Sequence, residues 1–338
     1  MEDQVNDPIA TLLTTYNELN SASIETLYEE PSPLEFMRYV ARNTPFVVRG
    51  AASGWKACQE WNAEYLKAAL KDSEVNVAVT PYGNADAPTP LPDTDLTVFA
   101  KPHEELQPFP SFLTYLQQQS SLTVPLPPSH SEIRYAQTQD NNLPHEYALL
   151  ASSVPPSIPF ARIALSRLPD ATNLWIGNSH SVTALHKDNY ENIYVQVLGQ
   201  KHFVLLPPVA SPGVNERLLK GARYKRSDKG ELELVLDEDG GEVPFAMWDP
   251  DVPEKHATKY SRLVRPIRVT LDPGDFLYLP AMWYHKVSQT GCADEGICVA
   301  INYWYDMEFS GPLYCLDTLV RSVDEKRKAE ENKNDGVE

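Results

Sequence analysis

The chain has 338 residues, which is enough for one large domain or two ordinary ones. Its apolar runs stay far below the roughly 18 residues of a membrane span, and its acidic start lacks the basic and apolar regions of a signal peptide. The net charge of −18 argues against a nucleic-acid substrate and fits a basic protein or peptide partner, or it serves solubility alone.

The first part of the chain has an α/β pattern. The first 30 residues predict a helix, because Asp7 and Pro8 are typical of an N-cap and a first helical position and apolar residues follow them at helical spacing. A second helix with a strand after it is predicted within residues 31–49, and a third helix is predicted to start near Asn62. Alternating valines at 75–79 predict a further strand.

Residues 82–130 are rich in proline and show few periodic patterns. The segment QQQSSLTVPLPPSH, residues 117–130, is the most linker-like part and predicts a boundary between two regions. A long insertion loop packed on the surface would explain the same composition. We therefore predict an N-terminal helical and α/β extension at 1–130 that includes a proline-rich connection.

After residue 130 the pattern changes to short β-branched and aromatic runs, which are typical of an all-β barrel or sandwich. These runs are RYAQTQ, TNLWIG, ENIYVQVLG, KHFVLLPP, IRVTLDPGDFLYLP and ICVAINYWY. We expect this domain to cover 131–312. A charged insertion at 211–262 contains alternating leucines that predict a hairpin with a solvated face, and partner binding is the alternative. Residues 313–338 are predicted to form a C-terminal helix or a disordered tail.

The cysteines are sparse and include no C-x-x-C pair; they are Cys58, Cys292, Cys298 and Cys315. This usage predicts neither a disulfide framework nor a zinc ribbon, and it fits a reducing compartment. We expect a cytoplasmic protein, with the nucleus as a second location.

His186 and Asp188 form the candidate metal-binding element. Residues i and i+2 of a strand face the same side, so both side chains can bind one ion. Two histidines and one carboxylate with open positions form the facial triad of non-haem Fe(II) oxygenases. The H-x-D/E pattern alone is weak, because it also occurs at 103–105 and 130–132. No strand is predicted to aim those two copies, so we interpret them as surface polarity.

The surroundings of His186 distinguish it from the other copies. Lys201, on a nearby predicted strand, offers a cation for the remote carboxylate of a chelating cosubstrate, and Thr183 offers a hydroxyl. His285 follows a predicted turn and strand, and a barrel can return it to the first strand. A lone histidine in an aromatic segment is more often a core residue, but this pairing favours a ligand.

The runs TNLWIGNSHSVTALHKDNYENIYVQVLGQKHFVLLPP, GDFLYLPAMWYHKV and AINYWYDM resemble the Jumonji-C (JmjC) family of 2-oxoglutarate oxygenases. PSPLEFMRYV, PFVVRGA and VNVAVTPYGNADA extend the likeness, which is greatest to the small JmjC lysyl (3S)-hydroxylases of developmentally regulated GTP-binding proteins. The resemblance covers most of residues 30–310. It implies a mainly β fold, with a double-stranded β-helix (cupin-like) core and flanking helices. It also implies Fe(II), 2-oxoglutarate and O₂, and hydroxylation of a protein lysine at C3.

The resemblance also implies roles for individual residues. The implied iron ligands are His186, Asp188 and His285. The implied 2-oxoglutarate contacts are Lys201, Thr183 and Tyr135 at the C5 carboxylate, with Asn192 and Asn302 near the iron and the C1 carboxylate. Trp175 would form an aromatic wall of the pocket, with core packing as the alternative, and Trp283 and Trp304 are expected in the core.

Other functions stay open at this point. N-methyl-lysine demethylation, as in histone demethylases, uses the same chemistry on a different carbon. A protease of histone tails and a non-catalytic cupin-like binding protein are alternatives from other classes. The expected partner is a lysine-bearing segment of a GTP-binding protein, without direct contact to nucleic acid or membrane, and the resemblance favours a homodimer.

Overall fold

The computed structural model describes residues 7–121 and 132–335. Within them the helices are α1 (Pro8–Leu19), α2 (Pro33–Arg42), α3 (Lys56–Glu60), α4 (Ala63–Ala69), α5 (Phe109–Ser120), α6 (Asn142–His145), α7 (Pro159–Leu165) and α8 (Pro312–Asp335). The strands of the N-terminal part are β1 (Glu25–Leu27), β2 (Phe46–Val48), β3 (Glu74–Thr80), β4 (Ala87–Pro90), β5 (Thr97–Lys101), β6 (His103–Pro108) and β7 (Ile133–Tyr135). The later strands are β8 (Ala171–Gly177), β9 (Thr183–Lys187), β10 (Tyr190–Leu198), β11 (Gln200–Leu206), β12 (Glu216–Arg226), β13 (Leu232–Leu236), β14 (Glu242–Ala246), β15 (Ile267–Leu271), β16 (Phe276–Leu279), β17 (Tyr284–Thr290) and β18 (Cys298–Asp306).

Two mostly antiparallel sheets form the core of the fold. Their strand orders are β1-β2-β16-β10-β18-β8 and β15-β11-β17-β9. Side chains from both sheets, such as Tyr194, Leu277 and Phe203, belong to one buried cluster. The cupin-like double-stranded β-helix with flanking helices, predicted from the sequence, is confirmed.

Strand β10 is buried on both faces. Ile193 and Val195 pack in the outer cluster with residues of α2, α5 and α7, whereas Tyr194 belongs to the cluster between the sheets. Because helices cover the outer face, the strand has a continuous apolar run instead of a polar alternation. This double burial holds the central strand of the site rigidly.

The helices and strands predicted before residue 82 are present, but the first helix ends at Leu19 and the short strand β1 follows it, so the helical prediction for residues 20–30 is wrong. The Asp7 carboxylate accepts hydrogen bonds from the backbone N–H groups of Ile9 and Ala10 at 3.0 and 3.1 Å, as an N-cap does. Asn62 caps α4 in the same way, with its Oδ1 accepting from Tyr65 N at 2.8 Å. The helix and strand of 31–49 are α2 and β2.

The proline-rich stretch holds more regular structure than its composition predicted. It forms β4, β5, β6 and α5, and its residues 122–130 lie outside the described part. Pro88 and Pro90 lie on β4, at the edge of its sheet, where a missing N–H leaves no ladder bond unmade. Strand β7 pairs with β3, so the segments before and after residue 130 share a sheet.

The charged insertion forms hairpin pairings, as predicted, with β12 pairing antiparallel to both β13 and β14. Lys220 and Lys225 are exposed, as expected of a solvated face. Arg226 differs, because its guanidinium bonds Glu132 at 2.5 Å and Glu105 at 3.1 Å. These bonds fasten the insertion to the N-terminal region.

Both ends of the described chain pack on the region that follows β11. Tyr260 packs with Ile9 and Leu13 of α1 in one apolar cluster. The Asp7 carboxylate forms an ion pair with Arg327 of α8 at 2.5 Å and accepts from the Tyr260 hydroxyl at 3.0 Å. The C-terminal segment is therefore a docked helix as far as it is described.

None of the helices in residues 7–121 and 132–335 combines the length and apolar composition needed to cross a lipid bilayer. The four cysteines are free thiols, as expected from a sequence that predicts no disulfide framework.

Candidate metal centre and cosubstrate site

The three predicted iron ligands meet at one end of the barrel. Strands β9 and β17 are antiparallel neighbours, and His285 lies directly opposite His186 in their register. Asp188 follows the last residue of β9, and its carbonyl oxygen accepts from Met282 N at 2.7 Å. One nitrogen or oxygen atom from each side chain lies within 4.8 Å of the others. The structure therefore brings the predicted triad together from two paired strands.

Both histidines are oriented by the backbone. His186 Nδ1 lies 2.8 Å from the Ala184 carbonyl oxygen, and His285 Nδ1 lies 3.0 Å from the Trp283 carbonyl oxygen. A carbonyl oxygen only accepts, so each Nδ1 carries the proton and each Nε2 keeps its lone pair. These Nε2 atoms lie 3.7 and 3.6 Å from the same oxygen of Asp188. The lone pairs and the carboxylate thus face one point, as a metal ion requires.

The two histidines differ in their pKa values. Burial works to lower the pKa of His186, but Asp188 outweighs it and raises that pKa. Burial and the neighbouring His186 lower the pKa of His285 to about 4. Burial works to raise the pKa of Asp188, but the two histidines outweigh it and the pKa is lowered. A neutral imidazole and an ionised carboxylate are the forms that bind a cation. Three such ligands leave open positions on an octahedral ion, and this donor set fits Fe(II).

Lys201 is buried in the same cavity, with only 2% of its surface exposed. Its Nζ donates to the hydroxyl of Tyr135 at 2.7 Å and lies 5.8 Å from the centre of the Tyr194 ring. Burial works against the charge of Lys201, but the oxygens of these two tyrosines outweigh it and raise the lysine pKa. Within residues 7–121 and 132–335 no carboxylate pairs with it, so the cavity presents a cation without an anion.

The remaining predicted residues complete the wall of this cavity. Trp175 Nε1 donates to Asn302 Oδ1 at 2.9 Å, and Asn302 Nδ2 donates to Asn192 Oδ1 at 3.4 Å. Thr183, at the start of β9, lines the same space, which amounts to about 430 Å³ including its open mouth. All nine residues assigned from the sequence therefore line one cavity, which extends from the triad to Lys201.

The structure adds residues that the sequence analysis did not assign to the site. The added lining residues are Gln139, Tyr194, Phe203, Val287 and Trp304. Tyr194, Phe203, Val287 and Trp304 each lie two positions after a residue that was assigned from the sequence on the same strand. Those assigned residues are Asn192, Lys201, His285 and Asn302. The period of two in a β-strand is a signal that could have found those four, whereas Gln139 lies on no strand and had none. Trp304, expected in the core, is buried but also lines the site, whereas Trp283 is buried away from it.

The H-x-E copy at residues 103–105 does not join the triad. Contrary to the prediction, His103 lies on a strand, β6, because long-range pairing with β3 orders the proline-rich stretch. Its Nε2 lies 3.3 Å from Glu105, which also bonds Arg226, so the pair belongs to a surface charge network. His130 lies outside the described residues, and Glu132 bonds Arg226 as well.

Comparisons with known proteins agree with this geometry. A family model described as "Cupin-like domain" matches residues 31–311. The chain is 36% identical to "Bifunctional peptidase and (3S)-lysyl hydroxylase JMJD7" of Homo sapiens, over 89% of this chain and 90% of that protein. It is 37% identical to "Lysine-specific demethylase JMJ32" of Arabidopsis thaliana, over 85% and 82%. It is 33% identical to "JmjC domain-containing protein E" of Dictyostelium discoideum, over 90% of each chain.

Proposed function

Because this chain belongs to the cupin-like JmjC family of 2-oxoglutarate oxygenases, we propose that it is an Fe(II)- and 2-oxoglutarate-dependent hydroxylase of a protein lysine. The proposed position of oxidation is C3, and the proposed substrate is a lysine-bearing segment of a GTP-binding protein. The observation that carries the cofactor part of the proposal is the unpaired Lys201 in the cavity of the His186–Asp188–His285 triad.

The triad would hold the iron, and the other cavity residues would hold the cosubstrate. Iron with 2-oxoglutarate supplies O₂-dependent oxidation of a C–H bond, coupled to decarboxylation of 2-oxoglutarate to succinate. Lys201 and Tyr135 would bind the C5 carboxylate, since a buried ammonium and a hydroxyl together suit a carboxylate. Thr183 would assist them. Asn192 and Asn302, linked by their side chains, would bind near the C1 carboxylate.

The aromatic wall has a separate task. Trp175, Tyr194 and Phe203 are buried between the two sheets and line the cavity. They keep water away from the cosubstrate, which strengthens the electrostatic interactions inside. The Nδ1 bonds of the two histidines fix the direction of their Nε2 lone pairs before any ion binds.

Lysine as the substrate rests on the relatives and on charge. The names of the human and Arabidopsis relatives both specify lysine, although they name different reactions. The net charge of −18 favours association with basic segments. We extend the proposal to a cytoplasmic protein that forms a homodimer.

Demethylation is the second candidate, favoured by the name of the Arabidopsis relative. The two reactions differ in the carbon that reaches the iron. Hydroxylation at C3 places a side-chain methylene there and keeps the oxygen in the product, whereas demethylation places an N-methyl group there and releases formaldehyde.

The test uses the purified chain with Fe(II), 2-oxoglutarate and peptides that tile a developmentally regulated GTP-binding protein. We expect one peptide to gain the mass of one oxygen on its lysine, with a matching amount of succinate. Formaldehyde from an N-methyl-lysine peptide without that mass gain would indicate a demethylase. Peptide cleavage would indicate a peptidase, and binding without succinate a non-catalytic cupin.

A further inference from the structure

The loop between β3 and β4 lies against the strand that carries His186. Val182 N, just before β9, donates to the Gly83 carbonyl oxygen at 2.8 Å. Gly83 has a φ of +70°, and a Cβ there would lie 2.0 Å from the His180 carbonyl oxygen. Only glycine allows this close approach, which holds the loop against the segment just before β9.

Asp86 ends this loop directly before β4, a strand that lies beside β9, which carries His186. Its Oδ2 accepts from Gln137 Nε2 at 2.9 Å. Gln137 lies two residues before Gln139, which lines the triad cavity. The carboxylate is therefore held beside the site by a neutral amide from the segment that borders it.

Asp86 lacks a cation of its own. Within residues 7–121 and 132–335 no lysine or arginine forms an ion pair with it, and Lys101, whose charge reaches it, pairs with Asp237 at 3.1 Å. Burial raises the pKa of Asp86, and the charge of Glu104 adds to that effect. A partly buried anion with one neutral hydrogen bond is stabilised by any cation that enters.

An unpaired acceptor lies on the same loop. Asn84 Oδ1 is buried and has no hydrogen-bond partner. Asn84 and Ala87 line a cleft together with Ala184 and Leu185, the residues before His186 on β9. Among the described residues, this loop thus carries a carboxylate without a cation and an amide oxygen without a donor, which together suit a ligand that brings a positive charge and N–H groups.

We propose that Asp86 binds the side-chain ammonium of the substrate lysine, with Gln137 as the positioning residue that orients the carboxylate. This inference rests on the proposed function. C3 of lysine is four bonds from the ammonium nitrogen, on a flexible stem. A carboxylate set to one side of the triad therefore suits oxidation at C3, whereas an N-methyl group at the iron would hold the nitrogen at the triad itself.

The test compares Asp86→Asn with Asp93→Asn. Asp93 is a matched control, because it also has a positive φ, of 59°, but is fully exposed on the next loop. Fluorescent peptides that differ only in lysine or norleucine, its uncharged analogue, are bound to each protein with Mn(II) and 2-oxoglutarate under nitrogen. Wild type and Asp93→Asn should prefer lysine at least tenfold, and Asp86→Asn should lose that preference.

Asp86→Glu keeps the charge and should recover part of the preference, which separates charge recognition from a folding defect. Melting temperatures of all variants are measured beside the binding. An unchanged lysine preference in a folded Asp86→Asn protein would overturn the inference. The binding comparison does not require turnover, so a chain that binds lysine peptides but never oxidises them would defeat the proposed function alone.

Discussion

Replacing Lys201 by methionine should remove 2-oxoglutarate binding without destabilising the empty protein. Lys201 is 2% exposed, and its ammonium has the Tyr135 hydroxyl as its hydrogen-bond partner at 2.7 Å. A buried charge without a counter-ion costs several kcal/mol, so an apolar side chain of similar length is neutral or stabilising. The free energy of unfolding of the empty protein should therefore be unchanged or higher.

In contrast, the affinity for 2-oxoglutarate should fall strongly. Removing one partner of a buried ion pair costs about 3–5 kcal/mol. At about 1.4 kcal/mol for each factor of ten, this corresponds to a roughly 100- to 4000-fold weaker affinity. We expect the KM for 2-oxoglutarate to rise beyond the measurable range.

Thermal unfolding with Mn(II), with and without 2-oxoglutarate, measures both effects. At 100 times its Kd, the cosubstrate should stabilise the wild type by about 2.7 kcal/mol and raise its Tm by several degrees. Lys201→Met should show no such rise, and Lys225→Met, on the exposed side of β12, should behave as the wild type. An equal 2-oxoglutarate-dependent rise in Lys201→Met would refute the assignment, and a strongly lowered Tm of the empty variant would show a structural role instead.

Three further predictions concern the ligands, the loop and the N-cap. His186→Ala should abolish succinate formation by removing one of three ligands, whereas His103→Ala, from the other strand-borne H-x-E copy, should keep it. Gly83→Ala should lower the free energy of unfolding in urea by more than about 1 kcal/mol, because its Cβ would meet a carbonyl oxygen. Gly230→Ala is the control, since a Cβ there has open space, and it should lower the free energy of unfolding less. Equal losses in the two variants would contradict the role of the Gly83 contact. Burial works to raise the pKa of Asp7, but its bonds to α8, the α1 backbone and Tyr260 outweigh burial and lower that pKa. The ionised Asp7 therefore stabilises the folded protein at neutral pH, and this stabilisation is lost as the pH falls through the folded-state pKa. Asp7→Asn should therefore cost about 1 kcal/mol at pH 7 and less near pH 3 by thermal melts; an equal cost at both would refute the ionic contribution.

The grouping of the three candidate ligands could be predicted from the sequence because its determinants are mostly local. His186 and Asp188 are close in the chain, and Lys201 and His285 lie on runs whose strand character is visible in composition. The pairing of β17 with β9 is non-local, and it places His285 opposite His186. Tyr135 is farther upstream, and its approach to Lys201 depends on β7 joining β3.

The proline-rich stretch shows where local patterns fail. Strand β5 pairs with β12, more than a hundred residues later, and β6 pairs with β3. Such long-range partners leave no periodic signal in short polar segments, so these strands were missed. The same limit applies to Asp86, whose loop is placed by its contact with the residue just before β9.

Because β9 lies at the end of its sheet, a bound metal ion would affect how firmly this strand is held. It is a five-residue edge strand, paired to β17 alone within the four-stranded sheet. An ion held by His186 and His285 acts as a removable cross-link between the edge and the interior of that sheet. Without the ion this link would be absent, and any opening of the edge would expose the backbone groups of β9 that pair with β17. Iron supply would then govern the lifetime of the folded protein as well as its catalytic rate.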